Sequence, residues 1–109
     1  MPANPRVPML AVIKLRAGKL AEFSAVMTRV VPIMEQFGWR LEGAWTNIVG
    51  RLYVVYDLWT VADANAVTAG FAGLMQKPEY PEIARVMAEC VEDEQLQLLT
   101  AMPFDPGRI

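Results

Sequence analysis

Arg40-Leu41-Glu42-Gly43-Ala44-Trp45-Thr46-Asn47, then Ile48-Val49-Gly50, then Arg51-Leu52-Tyr53-Val54-Val55-Tyr56-Asp57-Leu58-Trp59 is the stretch that decides the fold. Its first segment alternates, with Leu41, Gly43, Trp45 and Asn47 on one side and Arg40, Glu42, Ala44 and Thr46 on the other. Its second segment centres on Tyr53–Tyr56, all good strand formers. The short link between them predicts an antiparallel hairpin of Arg40–Asn47 and Arg51–Trp59.

Working outward, Leu20, Phe23, Met27, Val30, Val31, Met34 and Phe37 recur at 3/4 spacing. That stripe predicts an amphipathic helix over Lys19–Phe37, stopped by Gly38. Pro32 lies inside it and is expected to kink it near Thr28–Val31. Before the helix, the β-branched run Met9–Leu15 reads as a strand. Three prolines within Met1–Pro8 mark that stretch as an irregular leader.

Downstream of the hairpin, Thr60 with Asp63 resembles a capping box, and a helix over Val61–Met75 follows, weakened by Gly70 and Gly73. Lys77-Pro78 breaks the chain. A further helix starts near Pro81 and carries Ile83, Val86, Met87 and Cys90. Alternation returns over Glu94–Met102 as a fourth strand, and residues 107–109 form a tail. The order β-α-β-β-α(α)-β predicts a ferredoxin-like α+β fold, one domain over residues 9–106, with a four-stranded antiparallel sheet and helices on one face.

Composition agrees with a sheet that has one uncovered face. Of 109 residues, 54% are hydrophobic and 20% charged, and the mean hydropathy is +0.25. That exceeds the need of a lone domain of this size. No apolar run approaches the ~18–20 residues of a membrane span. The excess therefore points to a subunit interface, an apolar pocket, or both; two sheets packed face to face would make a homodimer.

The chain has no histidine and one cysteine. This removes His-based acid–base catalysis, Ser-His-Asp triads, His-ligated haem and nearly all zinc sites. An internal disulfide is impossible, and the chain reads as cytoplasmic. No cofactor is expected. A net charge of −2 without a dense basic stripe argues against a nucleic-acid partner. The first eight residues lack the apolar core of a signal peptide.

Gly18-Lys19-Leu20-Ala21-Glu22-Phe23, Gly43-Ala44-Trp45-Thr46, Asp57-Leu58-Trp59, Lys77-Pro78-Glu79-Tyr80 and Leu98-Leu99 through Met102-Pro103-Phe104-Asp105-Pro106 together resemble the NIPSNAP family, over about Leu10–Pro106. The resemblance implies the dimeric α+β barrel fold. Within that wider superfamily it implies a pocket between sheet and helices, used by relatives that include cofactor-independent monooxygenases, isomerases and haem-degrading proteins. Many members carry a histidine before the Leu-Trp pair. This chain has Asp57 there, so chemistry resting on that histidine is not available to it.

If the odd-numbered residues of both hairpin strands share a face, that face holds Trp45, Asn47, Arg51, Tyr53, Asp57 and Trp59. Such a surface suits a planar aromatic ligand. Asp57, a carboxylate in a central strand, is a general base or acid if buried alone, and a structural anion if paired with Arg51 or Arg40. Tyr53 is a pocket phenol or a hydroxyl at the edge of the core. Asn47 and Arg51 are anion-stabilising groups or, respectively, a turn residue and a strand-end charge. Trp45 and Trp59 stack on a ligand or pack the core. Phe23 and Met27 bring the helix over the same site.

Cys90 reads as a buried small hydrophobe, and the acids of Glu89–Glu94 as a solvated helix–strand junction rather than a cation site. The expected function is binding of a small aromatic or polyketide-like metabolite, with cofactor-independent oxygenation, isomerisation or cyclisation as its catalytic form. A non-catalytic binding or assembly module is the alternative.

Overall fold

The computed structural model describes residues 6–109. The elements run β1 Val7–Leu15, α1 Leu20–Gln36, β2 Arg40–Thr46, β3 Val54–Val61, α2 Ala64–Met75, α3 Tyr80–Cys90 and β4 Val91–Leu98. The strands form one antiparallel sheet in the order β2-β3-β1-β4. This is the ferredoxin-like arrangement predicted from the hairpin and its flanks.

β1 is the central strand, and its alternation is strict. Met9, Ala11, Ile13 and Leu15 are buried on the helix-covered face, while Pro8, Leu10, Val12 and Lys14 are half-buried on the other. The strand begins at Val7, so Val7 and Pro8 belong to the sheet and not to the leader. Pro8 is tolerated near the strand start, where its carbonyl still accepts from the Leu99 N–H at 2.9 Å. Residues 1–5 of the expected leader lie outside the described residues.

α1 runs unbroken through Pro32 and buries Phe23, Val26, Val30, Ile33 and Met34. Gly38 follows it at φ +92°, the left-handed turn expected of a glycine there. α2 is capped by Asp63, whose side chain accepts from the Ala66 N–H at 3.2 Å. Thr60 takes no part in that cap: it lies in β3, accepts from Arg6 and donates to Glu42.

Two core clusters lie between sheet and helices. The larger holds Met9, Val26, Val30, Ile33, Met34, Trp39, Trp59, Val61 and Ile83. The smaller holds Ala11, Ile13, Leu15, Phe23, Val55 and Cys90. Trp39 joins the larger one together edge-to-face, 5.3 Å from Trp59 and 5.1 Å from Phe71, and its indole N–H donates to the Ala66 carbonyl at 2.8 Å. Gly70 and Gly73, which weaken α2 as a helix, are there for fit: a Cβ would strike the Trp39 ring at Gly70 and the Phe37 ring at Gly73.

The hairpin departs from its expected register in two ways. A bulge between Leu41 and Gly43 inserts an extra residue, so Leu41 pairs with Trp59 but Ala44 pairs with Asp57 and Trp45 with Tyr56. Beyond a bulge the face assignment flips. Trp45 and Asp57 are therefore on opposite faces by register. The connection is also longer than Ile48–Gly50, because β3 starts at Val54. Tyr53 takes φ +62°, the left-handed region, which ends the extended run.

β4 begins directly after α3 at Val91, three residues before the expected start, and ends at Leu98. Its acids, Glu92, Asp93 and Glu94, sit on an edge strand, where charge blocks further strand pairing. Among the described residues, no helix covers the opposite face of the sheet. Leu10, Val12, Tyr56 and Leu58 lie there half-buried, next to Trp45, which is 56% exposed.

Candidate functional site

Asp57 sits in a cross-strand row of Ala44, Asp57, Ala11 and Leu96. That row lies on the helix-covered face, beside Trp59 of the larger core cluster and Val55 of the smaller one. Ala44, beside Asp57 in that row, borders a space that a bulkier residue would fill. The result is a cavity of about 360 Å³, within the range of small-molecule sites.

α1 forms its roof with Leu20, Phe23, Ser24, Met27, Thr28 and Val31. The hairpin forms the floor and rim with Leu41, Ala44, Trp45, Thr46, Val55 and Asp57. Trp45 borders the cavity from the β2 edge, its ring lying across Gly43.

Asp57 is only 3% exposed. Its Oδ2 has no hydrogen-bond partner among the described residues. Arg40 bonds Glu42 instead, and Arg51 lies in the exposed hairpin loop. Burial first, and the nearby Glu94 carboxylate second, push the Asp57 carboxyl up to about 6. Glu94, on β4, is itself raised by the protein around its carboxyl, although the residue keeps exposed surface. A buried, unpaired, raised carboxyl facing a cavity is the arrangement that marks functional groups.

Of the residues singled out from the sequence, the cavity brings together Asp57, Trp45, Phe23 and Met27. It leaves out four. Trp59 is 3% exposed and packs against Trp39 in the core, so it stacks on no ligand. Asn47 is a turn residue: its amide donates to the Arg51 carbonyl at 2.8 Å and to the Tyr56 hydroxyl at 3.3 Å. Arg51 is a loop charge. Tyr53 lies in the loop with the Lys14 ammonium 5.4 Å from its ring centre. The bulge and the left-handed Tyr53 together remove Asn47, Arg51 and Tyr53 from the face Asp57 occupies.

Residues the sequence reading missed include Ser24, Thr28 and Ala44. Ser24 and Thr28 are four apart on α1, on the flank of its apolar stripe, which was the available signal. Ala44 carries no signal before the bulge is known.

An antiparallel sheet with helices on one face, a bare opposite face and a cavity under the first helix defines a ferredoxin-like α+β protein with a ligand-sized site. The NIPSNAP family model matches residues 9–106, and the chain belongs to the NIPSNAP family. An uncharacterized NIPSNAP domain protein from Burkholderia xenovorans is similar in structure, with TM-score 0.75 and 24% identity over 92% of this chain and 98% of that one. A NIPSNAP family protein of unknown function from Agrobacterium tumefaciens gives TM-score 0.80 at 14% identity, covering 96% of each chain. SnoaB, a cofactor-independent oxygenase from Streptomyces nogalater, gives TM-score 0.69 at 16% identity over 93% of this chain and 97% of that one. These likenesses show the fold. No curated protein matches the chain. No helix among the described residues is long and apolar enough to cross a membrane.

Proposed function

We propose that the cavity between α1 and the β2–β3 hairpin binds a small, largely apolar or aromatic metabolite, with Asp57 as its one charged contact. The observation that carries this reading is the Asp57 carboxyl, which lines the cavity and whose Oδ2 has no partner among the described residues. A buried carboxyl without a partner costs free energy that a ligand pairing with it can recover. The catalytic form of the reading is cofactor-independent oxygenation, isomerisation or cyclisation, in which Asp57 takes a proton from the substrate. The fold shared with an oxygenase of that type supports it.

One observation favours a second, non-catalytic reading. Asn47 and Arg51, the groups expected to stabilise a substrate anion, do not line the cavity. Binding without turnover needs no such group.

The working unit in this proposal is a homodimer. The helix-free sheet face offers Leu10, Val12, Tyr56, Leu58 and Trp45 to a second copy. Beside it, Leu58, Leu99, Met102 and Phe104 border a groove of about 1000 Å³. Phe104 is 82% exposed, an unusual position for an aromatic residue of an isolated chain.

Native mass spectrometry of freshly purified protein tests both parts. The expected spectrum shows a dimer of the 12.2 kDa chain carrying a small molecule. Ser24→Trp, a substitution at an exposed roof position, is expected to leave the dimer intact and expel the molecule. A monomer at micromolar concentration contradicts the dimer. A ligand retained at parent level in Ser24→Trp contradicts the cavity.

A further inference from the structure

We infer that the ligand of this cavity carries a protonated amine, which pairs with Asp57, and that carboxylates and phosphates are excluded. This inference rests on the cavity reading above and adds the ligand's charge to it.

Three features of the lining converge. First, no Lys or Arg among the described residues lines the cavity, so none of them balances Asp57 there or could hold a ligand anion. Second, hydrogen-bond acceptors outnumber free donors. The Thr28 hydroxyl already donates to the Ser24 carbonyl at 2.9 Å, and the Thr46 hydroxyl to the Val54 carbonyl at 2.8 Å. The remaining side-chain donors, the Ser24 hydroxyl and the Trp45 indole, belong to residues with exposed surface.

Third, Pro32 stands four residues after Thr28 in α1 and has no N–H to give the Thr28 carbonyl. One carbonyl of the roof helix thus lacks its i+4 donor. A buried carboxylate in a lining that holds no cation calls for a ligand that brings donors and positive charge. The charged neighbours reinforce this sign. Glu94 on β4 is the titratable group acting on Asp57. The cavity-lining residues of α1 and β2 contribute none, and β1 sets Ala11 beside Asp57.

Three probes of one ring and three charges test the inference by calorimetry at pH 7.5: tryptamine, indole and indole-3-acetate. Tryptamine is expected to bind on the order of ten- to a hundredfold more tightly than indole, the worth of a charged hydrogen bond. Indole-3-acetate is expected not to bind. Asp57→Asn should bring tryptamine down to the affinity of indole, and Ser24→Trp should abolish both. In the parent protein, which needs no folded variant, tryptamine should weaken between pH 7.5 and pH 5 while indole does not.

Indole binding as tightly as tryptamine, in a manner that Ser24→Trp abolishes, overturns the amine and leaves the cavity standing. Binding of indole-3-acetate overturns the amine as well. Failure of all three probes to bind the parent overturns the cavity reading itself.

Discussion

Trp39→Ala is expected to destabilise the protein by about 3–5 kcal/mol, the cost of emptying a large aromatic site in a packed core. Trp39 is 4% exposed and touches Trp59 and Phe71 edge-to-face. Its indole N–H serves the Ala66 carbonyl in the first turn of α2. Removing it opens a void under Gly70, where only a glycine leaves room for that ring, and removes the bond that ties Trp39 to α2. Against a typical total of about 5–15 kcal/mol for a domain, this leaves a marginal fold. Urea denaturation followed by circular dichroism measures it; a loss under about 1 kcal/mol would contradict the packing described. Trp39→Phe keeps the ring but not the donor, and should cost less.

The second large effect concerns Asp57 and has an uncommon sign. Its carboxyl is raised from 3.8 to about 6 in the folded protein. Across that window the folded state holds a proton that the unfolded state has released. Stability from this group is therefore complete below about pH 4, falls as pH rises, and is fully lost above about pH 6. At about 1.4 kcal/mol per pH unit, the loss approaches about 3 kcal/mol by pH 7.

Asp57→Asn cannot ionise, so this pH dependence should vanish. The stability of the variant relative to the parent should thus improve by about 3 kcal/mol between pH 4 and pH 7. Comparing variant with parent isolates Asp57 from Glu42, whose carboxyl the Arg40 guanidinium holds low and whose pH dependence runs the other way. Denaturation curves at both pH values decide it. A difference that does not change with pH would mean that Asp57 is not buried as a lone carboxylate.

The legible part of this protein was its periodicity. Strict alternation in Met9–Leu15 and the 3/4 stripe from Leu20 onward reported which faces are buried, because burial is what imposes those patterns. Asp57 was legible as a carboxylate in a central strand; that it is buried without a partner depends on a register the pattern leaves open. What stayed hidden depends on backbone geometry that side-chain pattern does not encode. Leu41 through Asn47 alternates on paper, yet the bulge after Leu41 sets Trp45 on the opposite face from Asp57, so that it borders the cavity only from the β2 edge. Tyr53 is an excellent strand former that here adopts φ +62°, so Arg51, Leu52 and Tyr53 leave the strand. In Glu92–Glu94 low strand preference concealed a real edge strand, where charge is an advantage. Ala44, which lines the cavity, stands out only once the register sets it beside Asp57.

The proposed function requires that Asp57 be a buried carboxyl that a ligand can reach. Its most direct test is a pH titration of the Asp57 side-chain carboxyl carbon by nuclear magnetic resonance, without and with tryptamine. The expected midpoint in the free protein is about 6, moving downward when the amine pairs with the carboxylate. A midpoint near that of an ordinary aspartate, unmoved by the amine, would contradict it.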